Sequence, residues 1–153
     1  MTRRDPISNL ETHLGYWLRY VSNHVSHAFK LKVESRGVTV AEWVVLRALF
    51  DVEQINPSQL AEQITLTRGA VSKLIDRLVA KGLARKTSEK GDKRFHTVQL
   101  TSAGRKLVPH LAELADQNDA EFFGHLSAKE QRALANVLKD IVTRRSLLGV
   151  PLE

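Results

Sequence analysis

The chain predicts a mainly helical fold carrying one small β-hairpin, and three observations support that reading. Apolar residues recur at spacings of three and four through most of the 153 residues. Two short stretches, around 83–87 and 95–100, alternate with period two instead. The positive charge is also concentrated. Between Thr65 and His96 stand nine basic residues against Asp76, Glu89 and Asp92, an excess of six that equals the formal net charge of the whole chain, +6. The rest of the sequence is balanced, so one local structure carries the positive field and could lie against a polyanion.

With 42% hydrophobic and 26% charged residues the composition is that of one globular unit with a real core. No apolar run approaches the roughly 18 residues of a membrane span. The opening MTRRDPISNLETHLGYW lacks the apolar segment of a signal peptide, so a cytoplasmic location and no membrane partner are expected. The absence of cysteine excludes disulfides, thiolate metal sites and thiol redox sensing. No G-x-S-x-G, H-E-x-x-H, P-loop or dinucleotide glycine set occurs, so no enzyme and no cofactor are expected. His24 and His27 share a helix face, but no carboxylate is spaced to complete a site with them, and no metal is expected.

In chain order, Leu10, Leu14, Trp17, Leu18, Val21, Val25, Ala28 and Phe29 form one stripe on a long first helix of about seven turns, stopped near Gly37. Thr39 and Glu42 read as a capping box, in which the threonine accepts from the glutamate amide and the glutamate reaches back to the threonine amide. The second helix, through Phe50, is apolar nearly all round and should be central. Asn56 caps a short third helix with Pro57 at its first position. Thr65, Leu66 and Thr67 then lead into a basic helix whose inner stripe is Val71, Leu74, Ile75, Leu78 and Val79, ended by Gly82. Two short helices joined by such a turn, the second one basic, form a helix-turn-helix, and the hairpin that follows is its wing. From Thr101 a fifth helix runs to about Gly124, with a kink expected at Pro109. Ser127 and Glu130 form another capping box, opening a sixth helix through about Leu148.

The first, fifth and sixth helices cannot all bury their stripes against so small a winged unit. A second copy of the chain is the economical cover, giving a homodimer through a shared bundle. The domain division expected is a helical dimerisation region of residues 1–36 and 101–153, and a winged helix-turn-helix lobe of residues 37–100.

From about Leu10 to Leu148 the sequence resembles the MarR family of transcriptional regulators. The resemblance is carried by the run from Gly37 to Leu46, by Thr67 to Gly82, by Asp92-Lys93-Arg94 in place of the family's D-x-R, and by Leu100-Thr101-Ser102-Ala103-Gly104. It implies a homodimer on a palindromic operator in double-stranded DNA. It also implies a repressor released by a small aromatic or phenolic ligand bound between the helical region and the DNA-binding lobe. The cysteine-based oxidation sensing of one branch is closed to this chain.

On the second helix of the motif, Thr67, Arg68, Gly69, Ser72, Lys73 and Arg77 lie opposite the apolar stripe and are the candidates to reach bases and phosphates, Gly69 by permitting close backbone approach. The competing reading is a solvated face with local pairs such as Lys73 with Asp76. Ser58 and Gln59 can hold phosphate at the start of the third helix, where plain capping is the alternative. In the wing, Lys90, Lys93 and Arg94 supply cations and Asp92 fixes the turn. His13, Trp17, Trp43 and Arg47 are the ligand contacts that the family pocket implies. A non-specific architectural DNA-binding protein would share the charge, but it would not need neutral Ser72 and Gly69 interleaved among cations. A pure protein-interaction module is the third alternative.

Overall fold

The computed structural model describes residues 6–88 and 96–147. A 3-10 turn, Leu10–Thr12, precedes α1 (Leu14–Glu34), α2 (Val40–Phe50), α3 (Pro57–Gln63), α4 (Arg68–Ala80), β1 (Ala84–Ser88), β2 (His96–Leu100), α5 (Ser102–Phe123) and α6 (Ala128–Arg144). The hairpin tip, with Lys90, Asp92, Lys93 and Arg94, lies outside the described residues, as do Phe95 and Leu148.

The core is built around α2. Val45, Leu46 and Leu49 are fully buried, and the helix packs against α1, α4, α5 and β2. Removing each such side chain from water contributes about 1.5–3 kcal/mol, which is why a helix apolar on nearly every face settles in the middle. Leu60 from α3, with Val71, Ile75 and Leu78 from α4, Val98 from β2 and Val108 and Leu111 from α5, completes one continuous core. The hairpin is antiparallel, with Ala84 opposite Leu100 and Ser88 opposite His96. Ile55 adds a one-residue bridge to Val98, exchanging hydrogen bonds of 3.0 and 2.9 Å. A single paired residue has no periodicity, so the sequence pattern does not reveal it.

The structure corrects the expected first helix. It does not run unbroken from Leu10, because His13 is extended (φ −89°, ψ 123°) and interrupts the hydrogen-bond ladder. The Glu11 carbonyl instead accepts from the Trp17 indole at 2.8 Å. Glu42 departs from the capping box as well. Thr39 accepts from its amide at 3.1 Å as expected, but the carboxylate turns inward toward Lys81 and does not reach the Thr39 amide. At Ser127 the box forms in both directions. There the Ser127 amide, donating to Glu130, holds that carboxyl below its ordinary pKa. α5 continues through Pro109 without leaving the helix.

Two corners fix how the elements meet. At the end of α4, Gly82 takes φ +74°. Its N–H reaches the Val79 carbonyl at 3.0 Å, and the Leu83 N–H reaches Leu78 at 2.9 Å. These bonds close the helix in a left-handed cap that an L side chain would strain. α5 begins against that cap. Thr101 donates from its hydroxyl to the Gly82 carbonyl at 2.7 Å and from its N–H to Leu83 at 3.1 Å. Gly104 is buried so closely that a β-carbon would stand 2.2 Å from the Leu83 carbonyl oxygen. Gly104→Ala should therefore lower the stability measured by urea unfolding by about 1–3 kcal/mol. That loss runs against the roughly 1 kcal/mol that alanine gains over glycine in a helix. An unchanged or higher midpoint would mean that α5 does not seat on this corner.

Candidate nucleic-acid interface

The turn between α3 and α4 sets the geometry of the surface. α3 closes with Thr65 N–H on the Glu62 carbonyl at 3.4 Å and Leu66 N–H on Ala61 at 3.1 Å, which puts Thr65 at φ 55°. That left-handed position usually holds glycine, and a β-branched residue there costs about 1–2 kcal/mol. The strain sits at the corner that aims α4. Thr67 then caps α4 by accepting from the Ala70 amide at 3.1 Å. Its hydroxyl proton is left to donate outward.

α4 divides cleanly into two faces. Val71, Leu74, Ile75 and Leu78 are buried, whereas Arg68, Gly69, Ser72, Lys73 and Arg77 are all exposed; Val79, expected in the inner stripe, is 38% exposed, since it stands one position round from Leu78 and away from the core. The outward set is brought together as the sequence predicted. No acidic residue stands in its first turn, so the positive end of the helix dipole adds to Arg68. A β-carbon built on Gly69 would meet nothing within 4 Å. Nothing inside the described fold requires glycine there, and a bare backbone at this point matters only to something approaching from outside. Ser58 and the exposed Gln59 lie at the start of α3. Ser58 lines an open cleft of about 530 Å³ with Thr65, Thr67 and Arg68, so the beginnings of both helices face one space. The Ser58 amide is taken by the Asn56 cap at 2.8 Å, which leaves its hydroxyl for an external partner.

The charge is less available than a sequence count implies. Lys81 is paired with Glu42 at 2.7 Å, and Lys86 reaches across from β1 to Asp76 on α4. Asp76 therefore does not neutralise Lys73, as the solvated-face reading required. Among the described residues, Arg68, Lys73 and Arg77 form no ion pair, and they make up the outward cationic set of α4.

The four residues that the family pocket implied are scattered by comparison. His13 is exposed beside the Leu10 carbonyl at 3.3 Å. Trp17 is half-exposed and edge-on to Tyr16. Trp43 is partly buried, edge-on to Phe29 with 6.4 Å between ring centres. Arg47 is exposed and paired with Asp51 at 2.8 Å. None of the four lines the cleft at the helix-turn-helix or the open groove of about 590 Å³ between α5 and α6, where Phe123, Leu126, Leu134 and Leu138 meet Asp116 and Asp119. Among the described residues, no cluster of three metal-ligating side chains occurs, and no helix is long and apolar enough to cross a membrane.

Several features escaped the sequence reading. One is the Glu42–Lys81 pair. A second is Arg105 of α5, which donates to the Val52 carbonyl at 3.0 Å and so holds the end of α2. A third is Asn118, 3% exposed, which accepts from Lys32 at 3.0 Å and donates to the Val25 carbonyl at 3.1 Å, tying α5 to α1. Each joins residues far apart in the chain. The one signal on offer was a polar residue interrupting an apolar stripe.

The geometry agrees with known proteins. Residues 36–94 match the model of the MarR family. The transcriptional regulator HosA of Escherichia coli O157:H7 is 28% identical over 116 residues, covering 76% of this chain and 86% of HosA. A mutant of MarR from Escherichia coli, solved in complex with operator DNA, superposes with a TM-score of 0.75 at 25% identity, covering 84% of this chain and 93% of that one. BpsR of Bordetella bronchiseptica, whose DNA binding is regulated by 6-hydroxynicotinic acid, superposes with a TM-score of 0.77 at 26% identity, over 89% of this chain and 97% of that one. A helix-turn-helix with a cationic outer face, a hairpin beside it and six helices in this order give the chain the winged helix-turn-helix architecture of the MarR-family transcriptional regulators, to which it is similar in sequence and in structure.

Proposed function

We propose that the protein is a homodimeric repressor that occupies a palindromic operator and leaves it when a small aromatic ligand binds. The observation that carries the reading is the outer face of α4, where Arg68, Gly69, Ser72, Lys73 and Arg77 stand exposed over a buried stripe. Cations at fixed positions on a rigid helix, interleaved with a hydroxyl and a bare backbone, suit base edges in a major groove better than unspecific attraction. Thr67, Ser58 and Gln59 then hold phosphates, and Lys90, Asp92, Lys93 and Arg94 of the wing engage the adjacent backbone. The protein works in the cytoplasm, without catalysis or a cofactor. Residues 1–36 and 101–153 form its dimerisation region and residues 37–100 its DNA-binding lobe.

Exposed apolar faces support the dimer. No residue of α6 is buried, and Leu134, Val137, Leu138, Ile141 and Val142 all face outward. Leu14, Trp17, Leu18 and Val21 of α1 do the same. A stripe of that length on two helices exceeds what a monomer leaves in water. For the ligand, the support is the regulation of BpsR by a hydroxylated aromatic acid. Trp43 on the central helix and Trp17 on α1 offer ring faces, and His13 and Arg47 offer polar partners, of the kinds suited to such an acid.

Sedimentation at micromolar concentration should show two chains, because half-sites about 34 Å apart require two recognition helices related by a two-fold axis. A folded monomer would remove the palindrome with the dimer.

On DNA, affinity should fall with salt at a log–log slope of about −7 if each protomer neutralises roughly four phosphates. Arg68→Ala should lose about 1–3 kcal/mol on the selected operator and relax preference at one base pair. Gly69→Ala should bind more weakly although its thermal stability is maintained or raised, because alanine is favoured in a helix and meets nothing at this position. Equal losses on random and selected DNA would instead describe an architectural binder.

The switch is tested by titrating salicylate and 6-hydroxynicotinic acid while tryptophan fluorescence and operator release are followed together. A ligand favouring the wrong spacing of the recognition helices by about 2.7 kcal/mol lowers operator affinity about a hundredfold. Release that proceeds equally well in the Trp43→Phe, Arg47→Ala variant would place the effector elsewhere.

A further inference from the structure

Lys81 and Glu42 stand 39 residues apart in sequence and meet at the inner end of the recognition helix. Glu42 is 1% exposed. Its two oxygens accept from the Lys81 ammonium at 2.7 and 3.0 Å, and one of them also accepts from the Thr39 hydroxyl at 3.2 Å. The same ammonium donates to the Gly37 carbonyl at 2.8 Å. Three donors thus find three oxygens, and a buried carboxylate finds its counter-charge. Lys81 is the C-cap of α4, immediately before the left-handed Gly82. From the other side, the same corner is held by Thr101 and crowded by Gly104 at the start of α5.

We propose that Glu42 and Lys81 are a positioning pair for sequence-specific DNA binding. The pair locks the inner end of α4 to the α1–α2 corner and so sets the angle at which Arg68 and Gly69 meet DNA. The proposal rests on the reading of α4 as the recognition helix. The lever is long. Twelve residues separate the middle of the first turn from the cap, about 18 Å of helix, so a tilt of about 5° at Lys81 moves Arg68 by about 1.6 Å. A shift of that size breaks a bidentate bond to a base edge, whose geometry is narrow. A long cationic side chain on a phosphate follows the same shift with little loss. The pair should therefore govern discrimination between sequences and leave general attraction to DNA intact. An ion pair suits the task because it is directional and discrete. Apolar contact at the same place would slide, whereas a buried carboxylate without its partner is strongly disfavoured, so intermediate angles are thinly populated.

The test compares wild type with Lys81→Met and with the double variant Glu42→Leu, Lys81→Met, which removes both charges and leaves an apolar pair of similar volume. Each is measured for melting temperature, for affinity on a selected operator and on random DNA, and for salt slope. Both variants should lose about tenfold on the operator, the worth of one displaced bidentate contact, with random DNA changed less than about twofold. The salt slope should stay at the wild-type value. The double variant should recover melting temperature without recovering specificity, a separation that a merely stabilising pair would not give. Wild-type specificity in the refolded double variant would overturn the proposal. So would a salt slope reduced by about one on Lys81→Met, which would make Lys81 a phosphate contact. If wild-type protein itself prefers no sequence over random DNA, the recognition-helix reading fails first and the proposal fails with it.

Discussion

The burial of α2 is the constraint on which the rest of the structure depends. A helix carrying Val45, Leu46 and Leu49 with no accessible surface must be surrounded, and α1, α4, α5 and β2 are arranged as its surroundings. Its two ends are pinned by charge as well as by packing. At the beginning, Glu42 takes Lys81 from the end of α4. At the end, Arg105 of α5 takes the Val52 carbonyl and lies 6.0 Å from the centre of the Phe50 ring. One helix therefore touches both α4, whose outer face carries Arg68, Lys73 and Arg77, and α1, whose outer face is left apolar. A change in the packing of α1 or α5 cannot leave α2 where it was without cavities, and α2 cannot move without carrying the end of α4.

Electrostatics in the fold serves two separate purposes. Lys81 and Lys86 are used internally, one to compensate a buried carboxylate and the other to join β1 to α4 through Asp76. Arg68, Lys73 and Arg77 point outward on α4. The division follows position on the helix. Residues near its inner end meet other elements, and those at its outer end and on its far face meet solvent. The strained Thr65 at the turn belongs to the same arrangement, because the turn that strains it also fixes the angle between α3 and α4.

The apolar surface has a comparable division. α4 buries Val71, Leu74, Ile75 and Leu78 and α5 buries Val108 and Leu111 in the core of their own chain, whereas α6 buries nothing and α1 buries only Val33 near its end. Asn118 and Lys32 join α1 to α5 by hydrogen bonds at the level where both still contact each other. Beyond that point α1 projects its aromatic residues outward, Tyr20 stacked on His24 and Tyr16 against Trp17.

Sequence alone determined what depends on near neighbours in the chain. The caps at Thr39, Asn56 and Ser127, the helix stops at Gly37 and Gly82, and the split of α4 into an apolar stripe and a cationic face were legible, because each rests on residues within one or two turns. The helix-turn-helix and the two strands followed from the same local rules. Tertiary structure decided where long side chains found partners. Glu42 had a perfectly good local acceptor role at Thr39, yet it turned inward, because an ammonium 39 residues away offers a carboxylate far more than one backbone amide does. It likewise decided that His13 breaks the first helix, that Ile55 joins the sheet as a single residue, and that Gly104 must be glycine. None of these has a periodic or nearest-neighbour signature, since each is fixed by backbone and side chains arriving from elsewhere in the chain.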